Sequence, residues 1–141
     1  MDKADALLAA LATACAATGY TVQVDRQTPE NEREFPMLIL RSGDEESVAV
    51  DESRPAAINW AMRWELRPSV NLFVRYETDP GEAVRAINAA FRAIVAGIDA
   101  SAIPSLVVEG TRIEASKSVN EIRGAGRSMA GVFSFVFVID R

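Results

Sequence analysis

Between Trp60 and Tyr76 apolar and polar residues alternate without a break in parity. The even positions carry Trp60, Met62, Trp64, Leu66, Pro68, Val70, Leu72, Val74 and Tyr76; the odd ones carry Ala61, Arg63, Glu65, Arg67, Ser69, Asn71, Phe73 and Arg75. A period of two sends successive side chains to opposite faces of an extended chain, so this stretch demands a β-sheet with one dry and one wet face. At about 3.3 Å per residue a straight strand of this length would span roughly 55 Å, well beyond ordinary strands. Pro68 is where it must bend or fold. Either a loop over Arg67, Pro68 and Ser69 pairs Leu66 with Val70 and Trp64 with Leu72, or one long strand bends at a bulge that tolerates the missing proline N–H. A two-residue loop at Pro68 and Ser69 would oppose Leu66 to Asn71 and break the register.

A dry sheet face needs a cover, and two helical stripes supply it. Asp79-Pro80-Gly81-Glu82 is a helix start, with Asp79 as cap, Pro80 at the first position and Glu82 placed to reach back in a capping box. Val84, Ile87, Phe91, Ile94, Val95 and Ile98 follow at spacings of three and four, with Arg85, Asn88 and Arg92 on the opposite side. That helix, about 30 Å long at 1.5 Å per residue, should lie across the dry face. Asp2 to Thr18 reads as an earlier helix. Asp2 and Asp5 stand at the positive end of its dipole, Gly19 is a stop, and Leu7, Leu8, Leu11 and Cys15 form a buried stripe. Leu11-Ala12-Thr13-Ala14-Cys15 faintly resembles a lipoprotein cleavage site, but the preceding segment has no net positive charge and the apolar run is short, so a mature amphipathic helix is expected.

The remaining segments are shorter. Tyr20, Val22 and Val24 alternate with polar residues as a first strand; residues 26–34 read as a loop; Phe35-Pro36-Met37-Leu38-Ile39-Leu40 is a buried strand led by proline. Asp44, Glu45 and Glu46 fall in a stretch read as a solvated loop from Arg41 to Asp51, with a brief edge strand at residues 47–50 and a connector over residues 51–59. Leu106-Val107-Val108 and Thr111-Arg112-Ile113-Glu114 look like strands interrupted at Gly110. Lys117 to Ala130, with Gly124, Gly126, Arg123 and Arg127, reads as a flexible arm. Val132 to Ile139 is a final strand, apolar on both faces. The order of elements gives a single α+β domain over 1–141: a mainly antiparallel β-sheet with two helices packed on one face.

Composition narrows function by exclusion. A chain of 141 residues with 49% apolar and 25% charged residues can bury a real core. A net charge of −5, with no window dominated by Lys and Arg, argues against a nucleic-acid binder. No stretch approaches the ~20 apolar residues of a membrane span. Histidine is absent, which removes the commonest general base and the commonest nitrogen ligand for metals. Cys15 lies on a buried stripe without a basic partner and cannot form an internal disulfide, being the one cysteine. The acidic group Asp44–Glu46 lacks EF-hand spacing, and the Gly-rich segment lacks the Gly-Lys-Ser/Thr ending of a phosphate loop. Glu65 between Arg63 and Arg67 is explained by paired surface charges. The expectation is therefore a non-enzymatic protein with no catalytic residues, no cofactor and no metal.

What is surplus to a solitary fold points to assembly. Phe73 projects from the wet face of the long stretch, and the last strand carries more apolar surface than two helices should cover. The layout resembles the small tail-terminator proteins of tailed phages, the lambda minor-tail-protein type, and the related tail-completion proteins of gene transfer agents. The resemblance rests on the Ala/Leu-rich first helix, the proline-led strand Phe35–Leu40, the Trp-containing alternating stretch running through Asp79-Pro80 into an amphipathic helix, and the hydrophobic last strand. It implies a structural virion protein, assembled in the host cytoplasm, whose copies form a ring, commonly a hexamer, on the finished tail tube. The ring stops polymerisation and offers a surface for head-tail joining. The implied partners are further copies of the chain, the tail tube protein and the head-tail connector. Ring closure needs a heterologous interface, for which exposure arguments select Arg63, Phe73, Arg75, Phe133 and Phe135. The same arguments select Asp44, Glu45, Glu46, Arg123 and Arg127 for contact with tube or connector. The runner-up expectations are another phage neck or tail adaptor, or an oligomeric binding domain, on the same scaffold, and the third is a small enzyme.

Overall fold

The computed structural model describes residues 2–27, 35–47, 63–122 and 126–140. Residues 28–34 of the expected loop over 26–34, residues 48–50 of the brief edge strand, the connector over 51–59, the start of the alternating stretch from Trp60 to Met62, and Arg123 all lie outside them. Along the described chain run α1 (Lys3–Ala16), β1 (Val22–Val24), β2 (Met37–Ser47), β3 (Arg63–Arg75), α2 (Pro80–Ala100), the single-turn α3 (Ile103–Leu106), β4 (Glu114–Glu121) and β5 (Ser128–Asp140). The strands form one sheet in the order β1-β2-β3-β5-β4. β1 runs parallel to β2, and every other neighbour is antiparallel. This is the α+β fold, with a mainly antiparallel sheet, that the alternation and the two apolar stripes called for.

The alternating stretch is one continuous strand rather than a hairpin. β3 keeps its register with β5 straight across Pro68, pairing Leu66 with Phe137 and Ser69 with Ser134. The irregularity sits instead on the neighbour: β2 slips between Arg41 and Asp44, opposite Pro68. Gly43 makes this possible. Its φ is +70°, and a Cβ there would lie 2.0 Å from the Arg67 carbonyl oxygen. A bulged glycine thus lets β2 pass where proline offers no N–H, so a proline survives inside a sheet.

Parity then decides the core. Leu66, Val70, Leu72 and Val74 of β3, Phe133, Phe135, Phe137 and Ile139 of β5, and Leu38 and Leu40 of β2 all face the helices. Leu7, Leu11 and Cys15 of α1 and Ile87, Ile94 and Ile98 of α2 meet them. The α2 start is held as expected, with the Asp79 carboxylate accepting the Gly81 N–H at 2.9 Å. The reciprocal half of the capping box is not made: Glu82 offers its backbone N–H to the Asp79 carbonyl instead. α2 settles on the sheet at Gly131, where a Cβ would stand 2.4 Å from Ile87. Beside it Phe91 lies 5.1 Å, ring to ring, from Phe133.

Several expectations are corrected. Asp44, Glu45 and Glu46 are not in a loop, because β2 continues past the bulge to Ser47. The stretch from Lys117 is not an arm: it contributes most of β4 and the first residues of β5. Leu106 to Val108 is not a strand but the end of α3 and the chain beyond it. The final strand is apolar on both faces, yet Phe133 and Phe135 are 0% and 1% exposed beneath the chain's own helices. Phe73 is also enclosed, stacked 5.5 Å from Phe35 in a small cluster with Met37 and Ile39 on the other side of the sheet.

Truncation should separate the two faces of β5. Phe133→Ala is expected to cost about 3–5 kcal/mol in urea unfolding, whereas exposed Ser134→Ala should change stability by less than about 0.5 kcal/mol.

Candidate interaction surfaces

The helices cover one side of the sheet, so contact with other molecules is best sought on the opposite side and at the strand ends. Register places its residues in rows. Ser69, Ser134 and Ser116 lie side by side on β3, β5 and β4; Asn71, Val132 and Ser118 form the next row, and Phe73, Ala130 and Asn120 the one after. Every second residue of β3 and β5 was committed to the dry side by alternation, which leaves on the other side small polar and short apolar groups, except for Phe73 enclosed beneath Phe35. Val132, Val136 and Val138 are half-buried there, and among the described residues Val24 is the one large hydrophobic residue that is strongly exposed. The helix-free face is thus divided: the row of Ser69, Ser134 and Ser116 is small and polar, whereas Phe73, Met37 and Ile39, with Phe35 packed on them, make an apolar cluster.

Toward the Ser47 end of the sheet this face becomes charged. Arg67 pairs with Glu65 at 3.1 Å and Arg63 with Asp140 at 3.2 Å. Both pairs are partly solvated, and each fixes side-chain direction more than it adds stability. Asp44 lies opposite Arg67, and Glu46 opposite Glu65, so the acidic group extends the charged rows across β2. The ladder of Arg63, Glu65 and Arg67 expected from sequence is present, and Arg63 is engaged within its own chain.

At the other end of β3, Arg75, Tyr76, Glu77, Thr78, Gly126 and Arg127 line an open cleft of about 520 Å³. The Tyr76 N–H donates to the Arg127 carbonyl at 2.9 Å, and the Arg127 guanidinium returns a hydrogen bond to the Glu77 carbonyl. Arg75 and Arg127 are both exposed. Of the residues selected from sequence for an interface, then, Arg75 and Arg127 stand at one strand end, and Asp44, Glu45, Glu46 and Arg63 at the other. Phe73, Phe133 and Phe135 are removed from the candidates by burial. The error has a physical source: alternation shows that both faces of a strand are apolar but not which elements cover them.

Among the described residues two titratable groups are displaced. Burial pushes the Cys15 thiol up to about 12, as expected for a buried hydrophobe. The Asp25 carboxyl is held below its usual range, first by the Ser42 backbone N–H at 2.9 Å, then by the Ser42 hydroxyl, with a smaller contribution from the charge of Arg41. Asp25 adopts a left-handed φ of 51° at the end of β1, and its own N–H bonds the Leu40 carbonyl at 2.8 Å. The residue therefore closes β1 onto β2. Among the described residues no group of three or more His, Cys, Asp or Glu is placed to share a metal ion, and no helix is long and apolar enough to cross a membrane. No family model matches this chain, and no curated protein does either.

Sequence reasoning missed the serine row and β4 itself. β4 reads Glu-Ala-Ser-Lys-Ser-Val-Asn-Glu, polar at nearly every position, so it lacks the apolar period that reveals a strand. The one weak signal is its run of small residues beside Val119.

Because the folded pKa of Asp25 lies below the unfolded value near 3.9, its stabilisation is complete above that value and is lost as pH falls through the folded pKa. Asp25→Asn keeps a residue tolerant of left-handed backbone. It should flatten the fall in stability below about pH 4, measured by urea midpoints across the acid range.

Proposed function

We propose that this chain is a ring-forming structural protein of the tail-terminator kind, which caps a polymerised tail tube, stops its growth and presents a surface to the head-tail connector. The observation that carries the reading is the one-sided cover of the sheet. Both large helices lie on one face, and the other carries a row of small side chains, Ser69, Ser134 and Ser116, beside the Phe35–Phe73 cluster. Small side chains on a sheet surface let a second surface approach closely, as a subunit contact needs. The order of elements along the chain, from the Ala-rich helix to the hydrophobic last strand, supports the same reading through the resemblance described above.

In this reading the ring contact is heterologous: the serine face of one copy meets a different surface on the next. The charged strand end with Asp44 and Glu46, and the opposite end with Arg75 and Arg127, then lie toward the two faces of the ring and address tube and connector. The interface in this reading is polar and built on small side chains, not the aromatic one that the sequence suggested.

The test is native mass measurement of the chain alone and with a tail tube protein, together with tube lengths by electron microscopy. A ring-sized species and tubes of arrested length are expected. Ser134→Arg, which obstructs the serine row at an exposed position, should abolish both while leaving the unfolding free energy within about 0.5 kcal/mol of the parent. A chain that stays monomeric and leaves tube growth unchanged overturns the reading.

A further inference from the structure

The two edges of the sheet are unequal. β1 offers three residues, Val22–Val24, and ends at the left-handed Asp25. β4 offers eight, bonded to β5 on one side and without a strand neighbour on the other among the described residues. Proteins guard such edges with prolines, bulges or outward lysines. β4 has no proline, its register with β5 is unbroken, and its side chains are exposed except for the half-buried Val119. Its single lysine is no guard either: the Lys117 ammonium is hydrogen-bonded to Asn88 and lies 5.9 Å from the Phe91 ring centre.

We infer that β4 pairs antiparallel with β4 of a second copy of this chain, across a twofold axis at Val119, joining two five-stranded sheets into one. The register follows from charge. A twofold axis normal to the sheet keeps helix sides together, so each residue must oppose one on its own face. Lys117, Val119 and Glu121 share the helix side, where Val119 packs on the core and Lys117 reaches α2. Centring the axis on Lys117 sets ammonium against ammonium. Centring it on Ser118 leaves Lys117 facing valine and Glu121 facing alanine. Centring it on Val119 opposes Lys117 to Glu121 twice, Ser118 to Asn120 twice, and valine to valine. Opposite charges and small polar pairs directly across strands are the favourable combinations. The contact is complete with two copies, so it describes the free chain and stands or falls apart from the ring reading.

Cysteine scanning of the full chain without tube protein tests it. Directly opposed residues bring Cα atoms to about 4.5–5.5 Å, within disulfide range, and the native thiol at Cys15 is buried. Val119→Cys should crosslink to a dimer under mild oxidation. Ser118→Cys alone should not, but should crosslink when mixed with Asn120→Cys. Glu121→Lys, which opposes lysine to lysine twice, should weaken dimerisation roughly tenfold in sedimentation, and adding Lys117→Glu should restore it. A monomeric parent chain, an uncrosslinked Val119→Cys, or a Ser118→Cys that dimerises as readily would each overturn the proposal. If tubes are capped regardless, the ring reading survives its loss.

Discussion

The ladder between β3 and β5 is what the rest of the molecule depends on. The two strands pair from Arg63 with Asp140 to Arg75 with Ser128, and their dry sides hold Leu66, Val70, Leu72, Phe133, Phe135 and Phe137 in one continuous sheet of apolar surface. Burial of such side chains is worth about 1.5–3 kcal/mol each, so this surface is the chief source of stability available to the chain. α1 and α2 are amphipathic because this surface exists to be covered. β2 and β4 extend the ladder on either side and fix how wide the helix-free face can be.

That dependence explains which parts could be read in advance. Period-two alternation over Trp64–Tyr76 and the three-and-four spacing from Val84 to Ile98 each encode both an element and its buried side, so the α+β class, the capped α2 and the dry face were legible. Pro68 was legible only as a difficulty. Its solution lies at Gly43 on another strand, and nothing local to the alternating stretch identifies the partner that bulges. Phe73 looked surplus because its neighbours on β3 are polar; the stacking partner, Phe35, comes from a distant segment. β4 was illegible for a different reason. An edge strand with one paired side and little burial needs no apolar period, and its hydrogen bonds to β5 are backbone groups that every sequence possesses.

The consequence for function is a change in the chemistry expected at the molecule's boundaries. Aromatic residues that seemed available to neighbours are consumed by the chain itself. Among the described residues, what remains outside is a row of serines, charged strand ends and, at β4, an edge without a strand neighbour. Such surfaces recognise by shape, register and charge, so specificity would come from where polar groups stand rather than from apolar area.

Gly131 couples two positions that are 44 residues apart in the sequence, Ile87 of α2 and its own place on β5. The missing side chain acts as a socket for the Ile87 methyl, and it sets the distance between helix and sheet for the whole layer. Any related chain that acquires alanine at 131 should lose the branch at residue 87 in compensation, most simply by alanine, because valine would keep the methyl that clashes. This pair is therefore where co-variation should be sought first when relatives of the chain are aligned.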